Sequence, residues 1–411
     1  MLAGGLVATV AANPAHADSV RDAQWPLETY RAESAIWPIS QGEGVTVAVI
    51  DSGVLKEHQD LTGQVLAGVD FTGEKTDGTV DVDGHGTGMA SLIAGHGHGT
   101  GAGIMGLAPR AKILPIRVML EQSLLPQSDT ARAIRYAVDH GAKVVNMSIG
   151  GPSGADPDER AAVKYALDKD VVLVASTGND GDKKGAVEYP AAFPGVVAVG
   201  AVDRNGRIWE KSSFGPETTL VAPGAEVPHA IAKTTSAHGL GNGTSDATAY
   251  VSATAALIRA KYPDLSAGQV INRMIKSAAP PADGSAVPNN RYGYGLLSPA
   301  KALEANPAVD GGPRENPLAG RAEAQAAPSV APVEEEWGSP PPVAVPMTAE
   351  NRGVKWVLVG TAGVAGVVLV GVVVAVLLVV RGRRRRERAA AAAAAGYQGY
   401  PPPQQWPPSQ G

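Results

Sequence analysis

Short apolar runs alternate with amphipathic stretches between residues 45 and 277. Runs rich in Val, Ile and Ala predict strands at Val45–Ile50, Lys112–Val118, Lys143–Ser148, Val171–Ser176 and Val196–Val202. Stretches with helical spacing predict helices at Gly86–Gly95, Asp129–His140, Asp158–Lys169, Ser245–Tyr262 and Ser266–Ser277. The predicted strands are almost continuously apolar, which indicates a sheet that is covered on both faces. Together these elements predict an α/β fold, with a doubly wound, mostly parallel sheet flanked by helices.

A second kind of apolar segment lies near the end of the chain. Residues Trp356 to Val380 carry no charge, and as a helix they would exceed the roughly 30 Å hydrocarbon core of a bilayer. We therefore predict one transmembrane helix over residues 354–380. Six arginines follow between Arg381 and Arg388, so the positive-inside rule predicts a cytoplasmic tail, residues 381–411, and a folded part outside the cytoplasm.

The two flanks of the folded part are predicted from composition. Residues 2–12 are apolar and uncharged, and Ala15-His16-Ala17 has the form of a signal-peptidase site. We predict a signal peptide over residues 1–17 whose true start lies upstream, because the usual basic start is missing; a short disordered N-terminus is the alternative. Residues 306–353 are rich in Pro, Ala and Glu and predict a linker. Residues 18–305 are left as the folded domain.

Charge and cysteine content narrow the function classes. Six of the 35 basic residues and one of the 40 acidic residues follow Val380, which leaves 29 basic and 39 acidic residues before that point, a net charge of −10. An acidic ectodomain binds polyanions poorly, so we predict no nucleic-acid partner. The chain has no cysteine, which excludes disulfides and thiolate metal sites.

Three segments place reactive side chains at the ends of predicted elements. Asp51 follows a buried strand in Ala48-Val49-Ile50-Asp51-Ser52-Gly53, His85 begins a helix in Asp83-Gly84-His85-Gly86-Thr87-Gly88, and Ser245 begins a long apolar helix in Gly243-Thr244-Ser245-Asp246. A serine hydroxyl needs an adjacent base, and imidazole is suited to that role near neutral pH. A carboxylate fixes the imidazole tautomer and stabilises the imidazolium. Asn179, which follows another buried strand, can donate its amide to a developing oxyanion.

Each segment alone also fits an ordinary turn or cap, but the three together, in this order, resemble the subtilases, a family of serine proteases, over about residues 25–305. The resemblance implies the catalytic triad Asp51, His85 and Ser245. It also implies an oxyanion hole made of the Asn179 side chain and the Ser245 backbone N–H group. It further implies a substrate-binding edge and pocket, formed by Ser148, Ile149, Gly150, Ala175, Ser176, Thr177 and Gly178.

The whole layout of signal peptide, Pro-rich linker and C-terminal span is similar to the mycosins, membrane-anchored subtilases associated with type VII secretion. This resemblance implies a single-pass cell-membrane protein whose catalytic domain faces outward and whose substrate is a protein or peptide. It implies limited processing of secreted proteins, with type VII secretion membrane components as partners. Two alternatives stay open: an anchored degradative subtilase, or a structural subunit of a secretion complex whose proteolysis is dispensable.

Several positions depart from the subtilase pattern. Asp246, Ala249 and Ala253 stand where the family commonly has Met, Pro and Gly, and His58-Gln59-Asp60-Leu61 replaces His-Pro-Asp-Leu. Asp246 either gains from the helix dipole or hinders formation of the oxyanion.

Evidence for a metal site in the sequence is weak. Many subtilases bind calcium, and Asp77, Asp81 and Asp83 lie before His85, but no calcium-loop pattern appears and we expect a solvated loop. His96 and His98 lie among glycines, which indicates a mobile loop rather than a metal pair. We predict no metal and no cofactor.

Overall fold

The computed structural model describes residues 19–119, 128–151, 155–183 and 185–321. These residues lie in the first of two compact units, Met1–Ala331, and the second unit, Pro332–Gly411, lies outside them. The predicted signal peptide, transmembrane helix and cytoplasmic tail also fall outside the described residues. Within the described ranges no helix has both the length and the apolar character needed to cross a bilayer.

The strands are described here in chain order. They are β1 Thr46–Asp51, β2 Val69–Asp70, β3 His96–His98, β4 Ala102–Met105, β5 Lys112–Arg117, β6 Val144–Met147, β7 Val172–Ser176, β8 Val197–Val202, β9 Thr218–Pro223, β10 Val227–Ala230 and β11 His238–Gly241. Seven of them form one parallel sheet in the order β2-β5-β1-β6-β7-β8-β9. The other four form two antiparallel hairpins, β3–β4 and β10–β11.

The helices complete the layers. They are α1 Ser19–Asp22, α2 Trp25–Tyr30, α3 His85–Ala94, α4 Ser128–Asp139, α5 Pro157–Asp168, α6 Thr244–Lys261, α7 Ala267–Ser277, α8 Pro299–Leu303 and α9 Pro307–Asp310, with a π-helical turn at Ala32–Ile36 and a 3₁₀ turn at Gly181–Lys183. Each predicted strand and helix is present, and each of its ends lies within one residue of the prediction. The predicted α/β fold is confirmed.

Two hydrophobic cores lie on opposite faces of the sheet. Val47 and Val49 of β1 belong to the core formed with α3, α6 and α7, whereas Ala48 and Ile50 belong to the core formed with α4 and α5. This alternation follows from the two-residue period of a strand. It explains why the strands are apolar on both faces and shows that the sheet is doubly wound.

Helix α6 is the central helix of the first core. Its residues from Thr244 to Arg259 are all buried, and it packs on α3 and on strands β6 to β9. Small Ala, Ser and Thr side chains allow this close approach on several sides. As a result, the N-terminus of α6, which carries Ser245, is held rigidly near the carboxyl ends of the sheet strands.

The folded part extends into the predicted linker, which begins at residue 306. Asp310 in α9 forms an ion pair with the buried Arg273, with a 2.6 Å distance between Oδ2 and Nη2. Arg321 donates hydrogen bonds to the carbonyl oxygens of Glu217 and Phe193 at 2.6 and 2.8 Å. Residues 306–321 therefore pack on the domain, because their polar groups satisfy buried partners that composition does not reveal.

Candidate active site

Asp51 and His85 form a hydrogen-bonded pair at the carboxyl edge of the sheet. Asp51 is the last residue of β1 and is fully buried. Its Oδ1 atom lies 2.8 Å from His85 Nδ1 and also accepts the Ser52 backbone N–H at 2.8 Å. A carboxylate oxygen can only accept, so Nδ1 carries a hydrogen, and in the neutral ring the lone pair is on Nε2. His85 is thereby set up to take a proton through Nε2.

The start of α3 is fixed by a buried network that the sequence analysis missed. Asp81 Oδ1 accepts hydrogen bonds from Ser52 Oγ at 2.9 Å and from the Gly84 N–H group at 2.8 Å, and its Oδ2 accepts the Thr87 N–H at 2.9 Å. A β-carbon on Gly86 would lie 2.0 Å from the carbonyl oxygen of Gly53, so only glycine permits this approach. The network holds His85 against Asp51. It also shows that the expectation of a solvated acidic loop is wrong for Asp81, which is buried.

The environment of His85 favours its protonated form. Burial alone would lower the pKa, but the charge and hydrogen bond of Asp51, followed by the charges of Asp246 and Asp83, raise it to about 9. A base with a raised pKa is stronger but is largely protonated near neutral pH. The arrangement therefore suits proton abstraction at alkaline pH.

Ser245 is the second residue of α6 and is linked to the segment that follows β6. Its Oγ donates to the carbonyl oxygen of Ser148 at 3.2 Å, and Ser148 Oγ donates to the carbonyl oxygen of Ser245 at 3.0 Å. Asn146 and Ser252 extend this buried network, with Nδ2 of Asn146 donating to Ser148 Oγ at 3.0 Å. The described hydrogen bond of the Ser245 hydroxyl therefore goes to the Ser148 carbonyl oxygen.

Asn179 lies beside the N-terminus of α6, next to Ser245. Its Oδ1 atom accepts two hydrogen bonds from Thr244, from the backbone N–H and from Oγ1, both at 3.0 Å. These donors fix the orientation of the side-chain amide, so the Nδ2 group is the donor that Asn179 can offer to a substrate. Asn179 is exposed, as such a donor needs to be.

The predicted substrate segments lie side by side beyond β6 and β7. Ser176 Oγ donates to the carbonyl oxygen of Ile149 at 3.3 Å, and the Gly178 N–H group contacts Thr244 Oγ1 at 3.3 Å. Ala175 and Thr177 have no exposed surface. These two residues therefore support the pocket from behind, while Ile149 and Gly150, which are partly exposed, border it.

Glu188, a residue that the sequence analysis did not single out, occupies the space between these segments. A β-carbon on Gly150 would lie 2.5 Å from Glu188 Oε2, and one on Gly178 would lie 2.6 Å from Oε1. The Glu188 N–H group donates to the carbonyl oxygen of Thr177 at 3.0 Å, which fixes its backbone. Burial, followed by the charge of Asp180, raises the pKa of Glu188. No local sequence signal connects position 188 with positions 150 and 178.

Asp246, which departs from the subtilase pattern next to Ser245, pairs with His229. Its side chain is buried, and Oδ1 lies 3.0 Å from Nδ1 of His229 in β10. The carboxylate is therefore paired with a ring beside α3 in addition to lying in the first turn of α6. Ala249 and Ala253 are fully buried on the same helix.

His96 and His98 form strand β3 rather than the loop expected from their glycine neighbours. His98 Nδ1 lies 2.6 Å from Asp60 Oδ1, and Asp60 is fully buried. The pairing of β3 with β4 orders this segment. A local pattern cannot reveal this contact, because the carboxylate comes from a distant position in the chain.

Comparisons with known proteins agree with this geometry. A sequence profile described as the subtilase family, peptidase S8, matches residues 42–295. Subtilisin DY from Bacillus licheniformis is 36% identical over 270 residues, which cover 64% of this chain and 92% of that protein.

Solved structures give the same picture. MycP1 from Mycobacterium smegmatis has a TM-score of 0.60 at 29% identity, covering 71% of this chain and 87% of that one. The MycP3 protease, described as being from the type VII (ESX-3) secretion system, has a TM-score of 0.59 at 32% identity, covering 72% of this chain and 90% of that one. These structural neighbours are mycosins.

Proposed function

Because this chain belongs to the subtilase family of serine endopeptidases, we propose that it hydrolyses peptide bonds outside the cytoplasm through an acyl-enzyme at Ser245. The observation that carries the assignment of residues is the 2.8 Å hydrogen bond between Asp51 Oδ1 and His85 Nδ1. It orients an imidazole base in α3, which packs against the helix that carries Ser245.

In the proposed mechanism proton transfer through His85 drives both the formation and the hydrolysis of the acyl-enzyme. His85 Nε2 takes the proton of Ser245 Oγ, which attacks the carbonyl carbon of the substrate peptide bond. The Ser245 backbone N–H group and Asn179 Nδ2 donate to the oxyanion of the tetrahedral intermediate. His85 then protonates the leaving amine, and a water molecule activated by the same base releases the acyl group. Asp51 keeps the ring in the required tautomer throughout.

We place this activity on a cell membrane, as part of limited processing linked to type VII secretion. The similarity to the MycP3 protease over 72% of this chain supports the secretion link. The uncharged segment Trp356–Val380 and the arginines after it support a single-pass anchor with a cytoplasmic tail.

The chemistry is tested by active-site labelling of the full-length chain with a serine-directed fluorophosphonate. We expect labelling of the wild type at Ser245 and none of Ser245→Ala, since only an activated serine reacts. His85→Gln should label far more slowly while retaining its thermal transition. Persistent labelling of Ser245→Ala, or a folded wild type that is never labelled, would show that the triad assignment is wrong.

The biological role is tested by comparing newly formed protein N-termini in cells with the wild type, Ser245→Ala and a deletion. Limited processing predicts a few cleavage sites in secreted proteins that are lost in both mutants. Secretion defects in the deletion alone would favour a structural role, whereas many unrelated lost sites would favour general degradation.

The proposed topology has a separate test. A reporter fused after Gly411 should be active only in the cytoplasm, and a protease added outside intact cells should release the catalytic domain. A tail that the external protease can reach would contradict the orientation.

A further inference from the structure

A cluster of imidazoles surrounds one buried carboxylate away from the Asp51–His85 pair. Asp60 lies in the segment after β1 and has no exposed surface. Its Oδ2 atom lies 2.6 Å from Nε2 of His238 in β11 and 3.9 Å from Nδ1 of His58. His98 in β3 contacts the other oxygen, Oδ1, at 2.6 Å. Three segments far apart in sequence therefore meet at one carboxylate.

The tautomer of His58 is fixed in a way that suits a cation. Its Nε2 lies 3.0 Å from the carbonyl oxygen of Ala237, which can only accept, so Nε2 carries the hydrogen. The other ring nitrogen, Nδ1, therefore holds the lone pair of the neutral imidazole. That lone pair accepts the Asp60 backbone N–H at 3.3 Å and lies 3.9 Å from Asp60 Oδ2. A cation bound between Nδ1 and Oδ2 would replace this long hydrogen bond with two ligand bonds.

The donor set also has the supporting contacts of a metal site. Ligand histidines usually donate their second ring N–H to a carbonyl or carboxylate, as His58 does, and ligand carboxylates are themselves hydrogen-bonded. Asp60 has this support from His98 on Oδ1 and from the Ile104 N–H group, which donates to Oδ2 at 2.9 Å. The atoms of His58, Asp60 and His238 lie within 4.8 Å of one another. Tetrahedral zinc needs about 3.4 Å between ligand atoms, so small side-chain rotations suffice.

We propose that His58 Nδ1, Asp60 Oδ2 and His238 Nε2 bind one zinc-class transition-metal ion, with His98 orienting the carboxylate. Two imidazoles and one carboxylate favour zinc or its neighbours over calcium, which takes six to eight oxygen ligands. The ion would join the segment after β1 to the β10–β11 hairpin, while His98 adds the β3–β4 hairpin. Its role is structural, because it would reinforce two backbone hydrogen bonds that join these segments, from the Gln59 N–H group to the Thr235 carbonyl oxygen and from the His96 N–H group to the Asp60 carbonyl oxygen.

The test uses the full-length chain with Ser245→Ala, which prevents self-digestion. Dialysis against buffered micromolar ZnCl₂ should leave one zinc per chain, and a hundredfold excess over Kd should raise the melting temperature by about 5 °C. His238→Gln and His58→Gln should weaken binding by at least about 100-fold. The matched control is His96→Gln in the same hairpin as His98, since His96 Nε2 contacts the Thr62 carbonyl oxygen instead; it should bind as the parent does.

A second measurement uses only the parent chain, so it does not depend on whether the variants fold. Cobalt(II) added to the parent chain should give the visible spectrum of a four-coordinate N/O site, and zinc should abolish it. Calcium at the same concentration should neither displace cobalt nor raise the melting temperature. Absence of zinc uptake by the parent chain, or equal binding by His238→Gln and His96→Gln, would show that the cluster is only a hydrogen-bond network.

A separate observation concerns the substrate pocket, and this inference rests on the proposed function. The carboxylate of Glu188 lies against Gly150 and Gly178, one glycine from each of the two predicted pocket segments. A β-carbon at either glycine would collide with this carboxylate. Asp180 adds a second negative charge nearby, and Lys183 pairs with Asp180 at 2.8 Å. The pocket is thus narrow and acidic.

We infer that Glu188 selects substrates with Lys or Arg immediately before the cleaved bond. A long side chain that enters the pocket can place its terminal cation on this carboxylate. An acidic side chain there would meet like charges, and an apolar one would leave the partly buried carboxylate without a partner.

The test uses peptides that differ only in the residue immediately before the cleaved bond. The wild-type chain should cleave Arg and Lys peptides about 10- to 100-fold faster in kcat/KM than the matching Gln or Leu peptides, and Glu188→Gln should remove most of that difference. Asp182→Asn, on the same loop but exposed, is the control and should keep the preference. Cleavage with the same preferences in wild type and Glu188→Gln would refute the role of Glu188 while leaving the endopeptidase assignment intact. Failure to cleave any peptide, together with no fluorophosphonate labelling, would refute both.

Discussion

The charge of Asp246 gives the most specific prediction about activity. The pKa of His85 is raised to about 9, and Asp246 contributes more to this rise than Asp83 does. The neutral ring is the base, so kcat/KM should increase about tenfold per pH unit up to about pH 9 and then level off. Asp246→Asn removes one negative charge and should move this rising limb of the pH profile to lower pH.

The size of the effect follows from the packing of α3 on α6. The axes of packed helices lie about 8–10 Å apart, and two unit charges at that separation interact by about 2 kcal/mol at an effective dielectric constant of about 20. Solvent at the partly exposed His85 ring weakens this. We therefore expect Asp246→Asn to be about two- to tenfold faster than the wild type at pH 7 and equal to it on the alkaline plateau.

The assay is the pH profile of kcat/KM for one peptide, with thermal unfolding measured in parallel. Asn keeps an oxygen that can accept from His229, so the melting temperature should change little. Asp83→Asn should shift the limb in the same direction by less, and Asp168→Asn, whose exposed side chain pairs with Lys164, should not shift it. An unchanged limb, or a shift to higher pH, would refute the electrostatic reasoning.

Two further predictions concern turnover and stability. Asn179→Ala should lower kcat by about 10²–10³ with little change in KM, because Nδ2 is used mainly in the transition state; a larger change in KM than in kcat would contradict that role. Asp310→Ala should cost about 3 kcal/mol of unfolding free energy in denaturant titrations, since it leaves the buried Arg273 without its carboxylate. Asp168→Ala, which breaks an exposed pair, should cost less than about 1 kcal/mol, and equal costs would mean that residues 306–310 are not part of the fold.

The elements that carry the predicted triad could be predicted from local sequence. Strand β1 and helices α3 and α6 have strong apolar patterns, and Asp51, His85 and Ser245 stand at their ends, where parallel sheets bring loops together. Local pattern was sufficient because neighbouring residues decide each of these elements. It was not sufficient for β2, which is only two residues long, or for β9, which begins with two threonines.

Contacts between distant segments could not be predicted in this way. Asp60 and His238 are separated by 178 positions, and the carboxylate of Glu188 meets glycines in two other segments. Each of these residues alone looks like an ordinary loop residue. Two departures from the subtilase pattern lie in these regions, Asp246 itself and Gln59 next to Asp60. The partners of the two carboxylates, His229 and His238, depend on how the β10–β11 hairpin packs.

Glu159 gives a final prediction, about the pH dependence of folding. It lies in the first turn of α5 and is buried, and burial raises its pKa from 4.5 to about 7. The folded state therefore holds this proton more tightly than the unfolded state does, so stability is highest below about pH 4.5 and is lost as the pH rises to about 7. At pH 8 the ionised group costs about 2–3 kcal/mol of folding stability.

The Glu159→Gln variant should recover about 2 kcal/mol at pH 8 and nothing at pH 4, measured by denaturant unfolding in the Ser245→Ala background. Asp158→Asn, its exposed neighbour, should change stability by less than about 0.5 kcal/mol between pH 5 and 8. A Glu159→Gln variant with the same gain at both pH values would show that volume or hydrogen bonding, rather than ionisation, sets the cost.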